Sequence, residues 1–196
     1  MLPHANTRII EGYKEIAMTI IDTQLLVTRE GVRLHVRQAR SEDEQVLATF
    51  FSRVTPEDLR FRFLTSVRQV SHDRLVAMAQ PNDDRTKSLV AFNDNSESIA
   101  TAMLAGDAAL ERAEAAIAVR GDWKGQGVGW TLLEHLLTHA GKLGYASIES
   151  LEDRTNRRAI ALEQEMGFKT FSVEGEPTLV RVTCQLRPAS ESLRSS

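Results

Sequence analysis

The chain contains a single cysteine, Cys184, so no internal disulfide can staple it, and stability has to come from a packed core. It also lacks charge of one sign: 24 Lys and Arg against 27 Asp and Glu leave a net charge of −3. Nucleic-acid binding needs a basic patch or stripe, and this balance gives no sign of one. Long apolar runs are missing too. Arg8, Glu11, Lys14 and Glu15 break up residues 1–21 well short of a membrane span, and the stretch has no export-signal centre. Together with the lone cysteine this predicts a cytoplasmic protein with no membrane partner. There is no internal repeat, and the only biased tract is the Ser-rich end, residues 189–196.

What is present is ordinary globular material, 42% apolar and 26% charged over 196 residues, enough for one domain with a real core. The pattern predicts a domain over residues 32–187, an N-terminal extension over 1–31 that either pads it or docks on a partner, padding being the favoured reading, and a flexible tail over 188–196. Val32, Leu34 and Val36 alternate with Arg33, His35 and Arg37, as a half-buried strand requires. Ser41 followed by Glu44 has capping-box spacing and predicts a helix through Val46, Leu47 and Phe50. Thr55-Pro56-Glu57-Asp58 opens a second helix, with proline at its first position and acids in its first turn. Ser71-His72-Asp73 starts a third that stops near Gln80-Pro81.

Three strands are then expected at 88–92, 99–104 and 113–119, separated by turn-rich segments in the manner of an antiparallel meander. Beyond Val119 the period changes. A glycine-rich turn leads into a long helix with Val128, Leu132, Leu133, Leu136, Leu137 and Ala140 on one face, and Gly144 lies just past its end. A strand at 146–151, a helix at 156–166 and strands at 168–173 and 179–186 complete a mixed sheet with helices packed on it.

The chemistry sits in the turn Lys124-Gly125-Gln126-Gly127-Val128-Gly129-Trp130. Alternate glycines let successive backbone amides face one concavity, and the following helix adds its unpaired amides and the positive end of its dipole. Such a concavity suits a pyrophosphate. Other phosphate motifs fit less well. No Gly-Lys is followed by Ser or Thr at P-loop spacing, and the third glycine of a dinucleotide fingerprint is replaced by Leu132.

At these residues the chain resembles the GNAT superfamily of acetyl-CoA-dependent N-acetyltransferases. The family signature is Arg or Gln, two residues, Gly, one residue, then Gly or Ala, and Lys124 is a conservative departure at its first position. Asn156-Arg157-Arg158 opening the next helix and Met166-Gly167-Phe168 ending it are similar as well. The likeness is nearest to the catalytic domain of bacterial Pat-type protein lysine acetyltransferases, through residues 37–44, 55–63 and 114–120. It implies an α+β fold, with a mixed, mostly antiparallel sheet of about seven strands and helices on both faces. It also implies acetyl-CoA as acyl donor. The backbone of Ile117, Ala118 and Val119 would pair with the pantetheine arm, Lys124 to Trp130 would hold the pyrophosphate, and Asn156 would contact the donor.

Acyl transfer needs a neutral amine, whereas a free lysine side chain has a pKa near ~10.4, so a base must remove a proton. Glu114 is the candidate. It lies among Ala113, Ala115, Ala116 and Ile117 on the strand leading to the turn, where partial burial would raise its pKa. A solvent-facing glutamate beside Arg112 fits that pattern equally well, and it is the resemblance that implies the catalytic role. Many GNAT enzymes carry a tyrosine, the proton donor to the departing thiolate, four residues before the closing glycine. Glu163 stands there, so that role is not carried over, and nothing in the sequence brings Tyr145 to the sulfur. Cys184 reads as an inert core residue, which implies direct transfer. His135 and His139 have metal-pair spacing but no third ligand, so no metal is implied.

The resemblance points to a protein lysine as acceptor, with residues 55–80 forming one wall of an open groove and Glu57, Asp58 and Asp73 at its rim. A polyamine or antibiotic acceptor would instead call for a deep acidic pocket. A module that binds acetyl-CoA without turnover is argued against by Glu114.

Overall fold

The computed structural model describes residues 23–80 and 85–186. Chain order runs β1 (Gln24–Val27), β2 (Arg33–Gln38), α1 (Glu44–Ser52), α2 (Pro56–Phe63), α3 (His72–Ala79), β3 (Thr86–Phe92), β4 (Ser98–Gly106) and β5 (Arg112–Val119). It continues with α4 (Val128–Leu143), β6 (Ser147–Asp153), α5 (Arg157–Glu165), β7 (Lys169–Ser172) and β8 (Leu179–Gln185). The strands make one eight-stranded sheet in the order β1-β2-β3-β4-β5-β6-β8-β7. Every pairing is antiparallel except β5 with β6.

The strand beyond the expected seven is β1. It lies within the stretch read as an extension and pairs with β2 from Gln24↔Val36 to Val27↔Arg33. Too short and too exposed to alternate, it gives no period-2 signal. The remainder of that extension, residues 1–22, and the tail, 188–196, lie outside the described residues.

Side-chain alternation builds two cores. Leu34, Ala100, Leu104, Ala113 and Ala115 point to one face, where Val128, Leu132, Leu136 and Ala140 of α4 cover them. Burying each of those leucines contributes about 1.5–3 kcal/mol. The opposite face carries Val90 and Ala118 beneath Leu47, Phe50 and Phe51 of α1, Leu59 of α2 and Leu75 of α3. Gly144 ends α4 at φ 88, the left-handed conformation its position predicts. No helix among the described residues is long and apolar enough to cross a membrane.

The entry to α1 differs from expectation. Ser41 begins a 3-10 turn, and Asp43 takes over the capping. Its carboxylate accepts from the Arg40 amide at 2.8 Å and from Arg37 Nη2 at 2.7 Å. Burial alone would raise the Asp43 pKa, but Arg37 and the Arg40 amide together hold the carboxyl below its ordinary value. By contrast, Thr55 caps α2 as its sequence predicts, accepting from the Asp58 amide at 3.2 Å.

Tyr145, 1% exposed, is packed into the first core, and its hydroxyl fills the space beside Gly106. A Cβ at Gly106 would lie 1.7 Å from that oxygen. Gly106→Ala is therefore expected to cost about 1–3 kcal/mol by overpacking. In a Tyr145→Leu background the same change should cost clearly less, read as a non-additive double-mutant cycle in urea unfolding.

Candidate active site

Two neighbouring parallel strands that separate create the cavity. Strands β5 and β6 pair only through Arg112↔Ser147, Ala113↔Ile148 and Glu114↔Glu149, although β5 continues to Val119 and β6 to Asp153. The backbone groups that Ala115 to Val119 would have offered to a parallel neighbour face open space, where a polar partner is required. A cavity of about 530 Å³ occupies the gap, lined by β5, β6, the turn before α4, and parts of α2 and α5.

The glycine turn forms one end of it. Gly125 and Gly127 have φ values of +74 and +76, which few side chains tolerate. Among the described residues, the amides of Gly125, Gln126 and Gly127 donate to no backbone carbonyl. The first-turn amides of α4 have no partner within the helix. Gly129 borders the gap itself, since a Cβ there would meet Leu162 Cδ1 at 3.6 Å and Val119 Cγ2 at 4.0 Å. Gly127 has a different reason to lack a side chain. A Cβ would run into Glu30 and into Thr28 Cβ at 3.0 Å, because the β1–β2 turn packs against it. Arg29, from the same turn, stacks on Trp130 at 4.0 Å.

Helix α2 spans the opening. Lys124 is ion-paired with Asp58, and Arg60 with Asp153, so α2 is tied to the glycine turn on one side and to the end of β6 on the other. Asp58 is thereby taken up and is not a free rim carboxylate. Of the wall expected over residues 55–80, α2 lines the cavity, and neither Asp73 nor the rest of α3 does.

Ile117, Ala118, Val119, Lys124 and Asn156 line the same cavity as Glu114, together with Gly125, Gly127, Val128, Gly129 and Trp130, whereas the Gln126 side chain lies outside it and donates to the Asp122 carbonyl at 3.0 Å. Of the two settings its pattern left open, Glu114 has the exposed one and not the partial burial that would raise its pKa. Ala113 and Ala115 point into the first core, so Glu114 between them faces α2, where Arg62 carries an opposing charge. Burial lowers the Arg62 pKa, Glu114 and Glu152 oppose that, and its Nε is buried with no partner among the described residues.

Two carboxyls with raised pKa line the cavity, and sequence reasoning assigned neither a role. Glu152 on β6 accepts from Asn156 Nδ2 at 2.7 Å, and burial with the charge of Glu163 raises its pKa to about 8. Glu163 on α5 is 5% exposed. Ser150 donates to its Oε1, Oε2 has no partner among the described residues, and burial raises its pKa to about 7. A signal did exist: Glu163 falls three residues after Ile160 and three before Met166, on the inward stripe of its helix. Tyr145 does not line the cavity. Cys184 is half-buried on β8, where burial raises its thiol pKa. His135 and His139 are half-buried on α4, and burial lowers both. Among the described residues no group of His, Cys, Asp and Glu is placed to hold a metal ion.

An anion cradle at one end of a parted sheet and carboxyl groups along its length suit a group-transfer enzyme. Residues 54–168 match the acetyltransferase (GNAT) family, and the chain belongs to it. It is an acetyl-CoA-dependent N-acetyltransferase. An acetyltransferase of Pseudomonas aeruginosa is 24% identical over 142 residues, 71% of this chain and 76% of that protein. The GNAT domain of Streptomyces lividans PAT superposes with a TM-score of 0.77 at 23% identity, covering 84% of this chain and 97% of that domain. A Vibrio cholerae spermidine N-acetyltransferase, solved with CoA and spermine, superposes at 0.63 with 19% identity, covering 78% and 95%.

The raised carboxyls imprint a pH dependence on stability. Glu152 and Glu163 keep protons that the unfolded chain releases near the ordinary value of 4.5, so stability falls as pH rises from there through about 7 and 8. Asp43 acts with the opposite sign and at lower pH, losing its contribution as acid protonates it. Glu152→Gln should recover about 2 kcal/mol at the alkaline end of that window and little at its acid end, measured by denaturant unfolding across pH.

Proposed function

We propose that the chain transfers an acetyl group from acetyl-CoA directly to a protein lysine, with Glu114 as the base. On this reading the amides from Gly125 to Trp130, with Lys124 beside them, hold the pyrophosphate, and the exposed backbone of Ile117, Ala118 and Val119 pairs with the pantetheine arm. The cradle fits that role because its amides have no carbonyl partner and Gly129 presents no side chain to the gap. Asn156 serves the donor from the mouth of α5 while fixing Glu152.

The charge of the cavity carries the choice of acceptor. Arg62, Arg157 and Arg158 line it together with Lys124. Of its five carboxyls, Glu152 and Glu163 are pushed toward neutrality, and Asp58 is consumed by Lys124. A polyamine needs several free negative charges in its pocket, and this lining offers Glu57 and Glu114. A single lysine ammonium needs no more than that. Likeness to the S. lividans PAT domain supports the same reading by analogy.

Thiol release from acetyl-CoA, measured in parallel with spermidine, aminoglycosides and cellular protein, tests the acceptor. Lysine acetylation above the non-enzymatic background, mapped by mass spectrometry, is the expected result. Rapid turnover on polyamines with no protein modified would sink the protein reading. Glu114→Gln should bind acetyl-CoA normally while kcat drops ~100-fold to ~10,000-fold. Measured against wild type at the same pH, part of that loss should return at high pH, where more acceptor amine is already neutral, and an unchanged kcat would place the base elsewhere.

A further inference from the structure

We propose that Glu163 is the general acid of the transfer, giving the proton on its carboxyl to the sulfur as the acyl carbon–sulfur bond breaks. The inference rests on the acetyl-transfer reading above and deepens it.

The geometry points there in three ways. First, Glu163 is buried and lines the cavity, with one oxygen held by the Ser150 hydroxyl and Oε2 without a partner among the described residues. An ionised carboxylate so placed would be an unpaired buried charge, and the group avoids that by keeping its proton. A neutral carboxyl with one free oxygen is a hydrogen-bond donor in search of an acceptor. Second, Ser150 follows Glu149, the last residue of β6 paired with β5, so the carboxyl sits where the strands begin to part. Third, Glu114 occupies the opposite strand at that same point and faces α2, while Glu163 reaches the gap from α5. One carboxyl is exposed and the other buried, the contrast that separates a base from an acid.

The surroundings sustain the assignment. From β6 comes Glu152, whose own carboxyl is raised by burial and by the charge of Glu163 and is held by Asn156. From α2, Arg62 acts on Glu152 and Glu114. From α4 the cavity receives Trp130 and Leu133, neither of which titrates as an acid near neutrality. Burial is the main cause of the raised Glu163 pKa, and the Ser150 hydrogen bond moderates it.

The protons balance. A neutral amine forms the new nitrogen–carbon bond and passes one proton to the Glu114 carboxylate, directly or through water. The sulfur leaves with the Glu163 proton as a thiol. Glu114 then releases its proton to solvent and Glu163 takes one back.

Glu163→Gln, which keeps the shape of a neutral carboxyl, provides the test. Its KM for acetyl-CoA should stay close to wild type while kcat falls about 100-fold or more. Wild-type kcat should decline as pH rises through about 7, and the variant should lose that limb. Ser150→Ala removes the hydrogen bond that favours the ionised form and should move the limb to higher pH with Glu163 intact, which a purely structural role would not do. Independently of turnover, infrared spectra of the free protein below that midpoint should show a protonated-carboxyl band that Glu163→Gln lacks. A wild type that acetylates amines while Glu163→Gln matches its rate and pH profile would overturn Glu163 and leave the reaction standing. Absence of the infrared difference would do the same. A wild type that acetylates no amine at all overturns both readings.

Discussion

Everything functional in this molecule depends on two adjacent strands ceasing to pair. A parallel ladder that continued past Glu114 would close the sheet and satisfy its backbone internally. Instead β5 remains bonded on its β4 side along its whole length while its other edge is open. The sheet thus keeps its cohesion and gains a slot. The cost is a row of polar backbone groups with no partner among the described residues, which a donor laid along β5 could satisfy. The small side chains of β5, with alanine at four of its eight positions, keep that slot narrow-walled and accessible.

Helix α2 turns the slot into an enclosed site. It is a short helix with little apolar surface of its own, and its place is fixed by ion pairs to both lips of the gap. Partly buried pairs of this kind are strong in geometry more than in net energy, because desolvation offsets much of the attraction. Their value here is positional. They set Glu57, Phe61 and Arg62 over the opening and hold Lys124 beside the cradle.

The elements were readable wherever one face was buried. The alternation around Leu34 and Val36, the leucine stripe of α4 and the glycine at 144 each reflect a local rule, and the fold obeys them. The glycine turn was legible because its amides need no tertiary context to point one way. Contacts between distant segments were not. Nothing near Asp58 in sequence announces Lys124, and Ser41 loses the cap to Asp43 because Arg37 reaches across to it. A glutamate in a helix normally marks the solvent side. The burial of Glu163 follows from Ser150 on a neighbouring strand, a partner that helical spacing can hint at but not name. The exposure of Glu114 was one of two settings its pattern allowed, and it follows because its alanine neighbours turn away from it into the core.

The β1–β2 turn gives the glycine cradle a second author. Thr28 and Glu30 form the wall against which Gly127 is pressed, and Arg29 covers the ring of Trp130. The catalytic unit therefore begins before the first strand that looks like one. A chain started at Val32 would keep every residue of the signature, yet lose its edge strand, the stacking on Trp130 and the backing of Gly127 together.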